Sequence, residues 1–179
     1  MGSTYILLVQ LILFLHLFTG ISSEVEFTNI KCTSLDKEFN DFEYCHLKSV
    51  NRSYKYVSVK VKLYKVPITK VKVNFALLKR FSGYEPFLYN ITVDACKALR
   101  NSKSNPMFFF FHEIFRSHSN MNHTCPFDHD LAVDKVSVNF INRHFTEVLP
   151  FPRGEYLFQS NWFAYNVIRA EVKFFFTLF

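Results

Sequence analysis

Residues 57–64 and 70–77 place an apolar side chain at every second position, and this alternation constrains the fold more than any other feature of the sequence. A period of two is typical of a β-strand that buries one face. We predict that the two stretches form an antiparallel pair with one apolar face and one basic face. A solvated lysine face would also oppose edge-to-edge aggregation. The basic face would carry Lys60, Lys62, Lys70 and Lys72.

Further alternating or apolar runs predict more strands on both sides of this pair. Together they indicate a mainly β chain of seven to eight strands, which is the pattern of an antiparallel β-sandwich. Near residue 90, Tyr89, Ile91 and Val93 would face inward, while Asn90 would face solvent. The additional predicted strands are Val25–Lys31, Phe42–Val50, Phe87–Val93, Val136–Phe140, Glu155–Phe163 and Asn166–Leu178.

One helical insertion near residues 94–120 interrupts the strand pattern. Asn105 followed by Pro106 is a helix start, because asparagine caps the first turn and proline fits the first helical position. The predicted helix, Met107–Arg116, is apolar over most of its circumference and would end by Asn120–Asn122. A short helical turn is expected before it, over residues 94–100.

The N-terminus predicts export. Ile6–Phe18 is almost unbroken apolar sequence, which fits a signal-peptide core better than a membrane span of roughly 20 residues. We predict a signal peptide at residues 1–23 and a single mature domain at residues 24–179, with no transmembrane segment and an extracellular location. An uncleaved N-terminal anchor is the alternative, since residues 1–5 carry no positive charge.

The chain has four cysteines, and an even number in an exported protein predicts two disulfides. Three pairings are possible. We favour the two local ones, Cys32–Cys45 and Cys96–Cys125. A zinc site is a poor interpretation, because no C-x-x-C spacing occurs.

Three N-x-[ST] sequons occur, at Asn51, Asn90 and Asn122. An exported chain with three such sites is expected to carry at least one N-linked glycan. Each glycosylated asparagine would have to face solvent.

The chain is unusually rich in aromatic residues. The chain contains 23 phenylalanines and 9 tyrosines but only 4 glycines, a composition that excludes disorder. One sheet cannot bury every ring of the Phe108–Phe111 run, so some apolar surface would face a partner, a membrane or a cavity between the sheets. A filled core is the alternative. The candidate cavity residues are Phe75, Leu77, Phe108, Phe109, Phe111, Phe115 and Phe174.

No catalytic motif is present, and we expect neither enzymatic activity nor a metal or other cofactor. The net charge of +6 suits anionic head groups or glycans, but the chain lacks the compact arginine-rich patch of a nucleic-acid-binding protein. One polar cluster has residue types that could ligate a metal or transfer protons. The simpler interpretation is a polar loop that ends in a disulfide. The cluster comprises His112, Glu113, His118, His123, Asp128, His129 and Asp130.

Five short motifs resemble a family of secreted insect proteins known as domain of unknown function 1091. They are Phe27–Cys32, Tyr44–Arg52, Asn105–Pro106, Asn122–Phe127 and Pro152–Tyr156. The family is similar to chemosensory proteins of the CheB group and, remotely, to the lipid-recognition superfamily of the ganglioside activator. The resemblance implies an immunoglobulin-like β-sandwich that binds lipids or lipid-like pheromones in a cavity between its sheets. The cysteines carry over as structural positions, and no catalytic residues do.

Two functions therefore compete. One is a secreted, non-enzymatic carrier of a lipid or other hydrophobic small molecule. The family resemblance adds a chemosensory role to this expectation. The other is an extracellular interaction protein with a filled core, whose basic face contacts a receptor. The first needs a cavity between the sheets, whereas the second would have a filled core and use the basic strand face.

Overall fold

The computed structural model describes residues 24–51, 54–142 and 151–179. The predicted signal peptide at residues 1–23 lies outside the described residues, and so does the choice between a cleaved leader and an anchor. Within the described ranges, no helix is long and apolar enough to span a bilayer.

Eight strands form two antiparallel sheets, which confirms the prediction of a mainly β sandwich. The five-stranded sheet has the order β1-β8-β7-β4-β5, and the three-stranded sheet has the order β2-β3-β6. In chain order the strands are β1 (Val25–Ser34), β2 (Asn40–Ser49), β3 (Lys55–Leu63), β4 (Val71–Arg80), β5 (Tyr84–Asp94), β6 (Leu131–Ser137), β7 (Gly154–Ala164) and β8 (Val167–Leu178).

The prediction that residues 57–64 and 70–77 pair with each other is wrong. Strand β3 pairs with β2 and β6, whereas β4 pairs with β5 and β7 in the other sheet. The chain crosses between the sheets after Leu63, where Ile68 and Phe127 exchange two backbone hydrogen bonds of 2.7 and 2.9 Å. Alternation specifies which face of a strand is buried, but it does not specify the neighbouring strand.

The single basic face is therefore also wrong. Lys60 and Lys62 lie on β3, and their ammonium groups are 2.8 and 3.7 Å from the Glu43 carboxylate on β2. The hydrogen bond to Glu43 raises the pKa of Lys60. Lys72 is exposed on β4 in the five-stranded sheet, and Lys70 is exposed directly before that strand. The four lysines thus divide between two sheets.

The helical insertion is confirmed. Helix α1 (Ala95–Arg100) begins after Asp94, whose carboxylate accepts a 3.0 Å hydrogen bond from the Lys97 amide. A 3-10 turn over Ser102–Ser104 follows. Helix α2 (Pro106–Arg116) is capped by Asn105 and ends at Arg116, before Asn120–Asn122, as predicted.

The strand predicted for Val136–Phe140 ends earlier than expected. Strand β6 stops at Ser137, and residues 138–142 are helical. The Ser137 hydroxyl accepts a 3.3 Å hydrogen bond from the Phe140 amide, which is the geometry of a helix N-cap. This capping contact overrides the alternation of Val136, Val138 and Phe140.

Strands β7 and β8 form the predicted closing hairpin. Its two turn residues, Tyr165 and Asn166, have φ values of 54° and 65°. Positive φ at both central positions matches the twist of a two-residue hairpin, and asparagine tolerates this conformation better than most residues. The Tyr165 hydroxyl also donates a 3.1 Å hydrogen bond to the Pro67 carbonyl, which connects the turn to the crossover segment.

The two local disulfides favoured from the sequence are both formed. Cys32 lies on β1 and Cys45 on β2, so this bridge joins the two sheets rather than two paired strands. Cys96 lies on α1 and is bonded to Cys125, in the loop that leads to β6. The second bridge therefore connects the helical insertion to the segment after it.

We expect removal of the longer disulfide to cost more stability than removal of the shorter one. The bridges span 29 and 13 residues. Loop-closure entropy gives about 3.6 kcal/mol for Cys96→Ala with Cys125→Ala and about 2.9 kcal/mol for Cys32→Ala with Cys45→Ala. Chemical denaturation of the two double variants measures both values, and the reverse order would contradict the entropic account.

The core between the sheets is rich in aromatic contacts away from the helices. Tyr156 on β7 is 0% exposed, and its ring stacks on Phe176 with centroids 5.4 Å apart. Its hydroxyl donates a hydrogen bond to the Pro152 carbonyl. Burial raises the pKa of Tyr156 to about 12.

This shifted pKa predicts a loss of stability at alkaline pH. Between about pH 10 and pH 12 the unfolded chain releases the Tyr156 proton while the folded chain keeps it. Unfolding thus becomes easier as pH rises through this window. We expect the slope of stability against pH to be shallower in Tyr156→Phe, measured by urea denaturation between pH 9 and 12. An unchanged slope in this variant would contradict the assignment.

Candidate ligand cavity

A cavity of about 290 Å³ lies between the two sheets. One wall belongs to β3, where all four apolar residues of the alternating stretch line the space. The opposite wall belongs to the five-stranded sheet, mainly β4, β7 and β8. The residues that form these walls include Val57, Val59, Val61, Leu63, Val71, Val73, Phe158, Ala170, Val172 and Phe176.

Helix α2 closes the cavity with aromatic side chains. Phe108, Phe111 and Phe115 recur at helical spacing and line the space together. The ring of Phe111 is 5.0 Å from that of Phe75 on β4 and 4.9 Å from that of Phe158 on β7, measured between centroids. The Phe111 ring thus packs edge-on to Phe75 and tilted against Phe158 on the five-stranded sheet.

The structure brings five of the seven predicted cavity residues into the walls: Phe75, Phe108, Phe111, Phe115 and Phe174. Two predictions are not met. Leu77 is 1% exposed, but it packs in the filled core beyond Phe75 on the same strand.

Phe109 is the other exception. It lies about 100° around α2 from Phe108, so its ring points away from the cavity and contacts the edges of Phe108 and His112.

A second apolar cluster extends the cavity and was missed from the sequence. It consists of Phe39, Ile68, Phe127 and Ala164, all of which line the space. Three of them lie outside the strands, where no periodic pattern marks a buried residue. The backbone bridge between Ile68 and Phe127 is what brings the two loops together.

Few polar side chains reach the cavity walls, and they differ in how they are satisfied. Ser160 accepts a 3.0 Å hydrogen bond from the Trp162 indole. The Nε2 atom of His112 lies 3.0 Å from the Met121 carbonyl. Arg169 forms an ion pair with Asp36. Asn40 also lines the cavity, and its side-chain atoms have no hydrogen-bond partner among the described residues.

The predicted polar cluster does not assemble into one site. His112 is 5% exposed and faces the cavity, whereas Glu113 forms an ion pair with Arg116 on the outer side of α2. The Nε2 atoms of His123 and His129 lie 2.9 Å apart. In the part of the chain that the structure describes, no three histidine, cysteine or acidic residues are placed to hold a metal ion.

The remaining members of the cluster serve local structure. The Asp130 carboxylate accepts a 3.0 Å hydrogen bond from the Leu63 amide, and His118 lies 3.2 Å from the Asp134 carbonyl. Asp128 is exposed.

All three sequon asparagines are exposed. Asn90 faces solvent as expected, with its side-chain oxygen accepting a 3.0 Å hydrogen bond from Asn74 on the neighbouring strand. Asn51 and Asn122 lie in loops. Solvent exposure meets the requirement for glycosylation, which stays a prediction.

Two facing antiparallel sheets around an apolar cavity define the class, a β-sandwich with an internal pocket. A family model matches residues 73–158 of this chain. The family is described as a protein of unknown function, DUF1091. This match confirms the family resemblance over the range that it covers, which runs from β4 through β5, α1, α2 and β6 into β7.

Comparison with solved structures finds the crystal structure of a Niemann-Pick type C2 protein from the Japanese carpenter ant. The two chains share 18% identity with a TM-score of 0.34, and the match covers 88% of this chain and 93% of that chain. A search of curated proteins finds no match.

Proposed function

We propose that this protein is a secreted, non-enzymatic binding protein that holds a lipid or other hydrophobic small molecule between its sheets. The observation that carries the proposal is the apolar cavity of about 290 Å³. Protein interiors are packed to the density of organic crystals and rarely contain voids much larger than one water molecule. A space of this size therefore needs an explanation, and a bound apolar ligand supplies one.

The energetics favour occupancy by an apolar molecule. An empty cavity forfeits the dispersion contacts of the atoms that line it, which costs stability in proportion to its volume. Because the walls are almost entirely apolar, water would find few hydrogen-bond partners there. A hydrocarbon chain would restore the lost contacts and remove its own surface from water.

Two further features support secretion. Disulfides persist in oxidising compartments, and both bridges here connect separate parts of the fold. The three sequon asparagines are exposed, as extracellular glycosylation requires. A chemosensory role, with a pheromone-like ligand, extends the proposal on the strength of the family resemblance alone.

The competing proposal is an extracellular interaction protein with a filled core. The predicted basic face of that alternative is divided. Lys60 and Lys62 lie on the three-stranded sheet, whereas Lys70 and Lys72 lie before and on β4 of the five-stranded sheet. Charge reversal at each pair separately would show whether either one binds a receptor. Loss of receptor binding with ligand binding intact would favour this alternative.

Ligand binding can be tested on the glycoprotein purified from a secreting cell. Native mass spectrometry before and after solvent extraction would report any co-purified ligand. The stripped protein would then be titrated with N-phenyl-1-naphthylamine, whose fluorescence rises in apolar sites. We expect saturable binding at one site per chain. If no ligand co-purifies and the stripped protein does not bind the probe, the proposal is overturned.

A further inference from the structure

Asn40 presents an unpaired polar side chain in the cavity wall. It is the first residue of β2 and is 2% exposed. Its backbone is fixed, because the amide donates a 3.0 Å hydrogen bond to the Asp36 carbonyl and its carbonyl accepts one of 2.6 Å from the Ser34 hydroxyl. Within the described residues, its side-chain Oδ1 and Nδ2 atoms have no hydrogen-bond partner.

A buried amide of this kind is unusual. Nearly all buried polar groups in folded proteins are hydrogen-bonded, since leaving one unpaired sacrifices the bonds it would make with water. An apolar side chain of the same shape would pack in this position at no such cost. The amide of Asn40 therefore indicates a partner that the described residues do not supply.

The surroundings of Asn40 form a neutral polar end to the cavity. The Arg169 guanidinium lies 4.2 Å above the ring of Phe39, the residue that precedes Asn40. Its charge is compensated by the ion pair with Asp36, and its Nε atom also lacks a hydrogen-bond partner among the described residues. This end of the cavity thus offers an amide acceptor, an amide donor and an Nε–H donor without a net charge.

The other polar wall residues do not offer the same combination. Ser160 is already bonded to the Trp162 indole. His112 bonds through Nε2 to the Met121 carbonyl, which assigns the proton to Nε2 and leaves Nδ1 as an acceptor alone. Of the wall residues described, only Asn40 has both an unpaired donor and an unpaired acceptor on its side chain.

We propose that Asn40 binds the head group of the ligand, and that the ligand is an uncharged, medium-chain alcohol. This inference rests on the proposed function and deepens it. A hydroxyl donates and accepts, so it satisfies both atoms of the Asn40 amide, whereas a carboxylate accepts only. At ~30 Å³ for each group of the size of water, the cavity of about 290 Å³ has room for a chain of roughly ten carbons.

The test compares ligands that share a ten-carbon chain and differ in the head group. Displacement of N-phenyl-1-naphthylamine would be measured at pH 7.4 with 1-decanol, 1-chlorodecane and sodium decanoate. We expect the wild-type protein to bind 1-decanol about tenfold more tightly than 1-chlorodecane, the worth of a buried hydrogen bond. Decanoate should also bind more weakly than the alcohol. Equal binding of alcohol and chloride, or tightest binding of decanoate, would overturn the inference.

Asn40→Leu removes the amide and keeps the shape of the side chain. We expect this variant to lose the preference for 1-decanol, to within about twofold, and to keep the wild-type affinity for 1-chlorodecane. Its Tm should rise, since an unpaired amide leaves the interior. Asn40→Val serves the same comparison with a smaller side chain. A tenfold preference retained by either variant would show that Asn40 is not the head-group site.

Ser160→Ala tests the rival polar group of the cavity wall. It removes a hydroxyl that accepts from the Trp162 indole and still has a proton to donate. The preference for 1-decanol should survive in it, and its loss would move the head-group site away from Asn40. If the wild-type protein binds none of the probes, the proposed function itself fails. If it binds all of them equally, only the assignment of Asn40 fails.

Discussion

Replacing Phe111 with alanine is expected to lower the free energy of unfolding by about 3–5 kcal/mol. Phe111 is buried on α2, and its ring contacts Phe75, Phe158 and Tyr89 on three strands of the five-stranded sheet. Removing the ring would enlarge a space that is already incompletely filled. The loss should therefore fall toward the upper end of the range.

Phe109→Ala is the control for this experiment. It makes the same substitution on the same helix, but Phe109 is half-buried and lies outside the cavity wall. We expect it to cost less than half as much. Urea denaturation with linear extrapolation would measure both variants. Equal losses would mean that α2 does not pack through the face that carries Phe111.

Replacing Val59 with tryptophan is expected to abolish ligand binding while leaving the fold intact. Val59 lies in the middle of β3, paired with Cys45 on one side and Val133 on the other, and its side chain lines the cavity. An indole at this position would occupy the space that we assign to the ligand. The affinity for N-phenyl-1-naphthylamine should fall by more than about tenfold. The indole would fill the space that the probe needs, and forcing both into the cavity would overpack it.

Lys62→Trp provides the matched control on the same strand. Lys62 points to solvent, so the same indole would leave the cavity open. Circular dichroism would establish that both variants keep their sheet content. If Val59→Trp binds the probe as tightly as Lys62→Trp does, the probe occupies another site and the cavity is not the ligand site.

Local features of this fold were predictable from the sequence. The alternation in β3 correctly identified the face that lines the cavity, because the side chains of a strand alternate whatever the strand pairs with. The start of α2 was marked by Asn105 and Pro106, since capping depends only on neighbouring residues. The helical spacing of Phe108, Phe111 and Phe115 then placed three of the predicted cavity residues on one face.

Strand order was not predictable in the same way. Both β3 and β4 bury one apolar face, and this pattern suits either a hairpin or two facing sheets equally well. The loop between Leu63 and Val71 crosses to the other sheet, where Ile68 bonds to Phe127 across a long separation in sequence. The same misassignment produced a basic face that does not exist.

By itself, the sequence identified the buried face of β3 and the start of α2, and it favoured the two local cysteine pairs. Only the tertiary structure decided that β3 faces β4 across a cavity and that Cys32–Cys45 joins the two sheets. It also placed Asn40 in the cavity wall, with no side-chain partner among the described residues. Alternation and capping arise from contacts within a few residues. The width of the cavity and the burial of Asn40 depend instead on how α2, the two sheets and the crossover loops pack together, and these contacts join residues that are far apart in the chain.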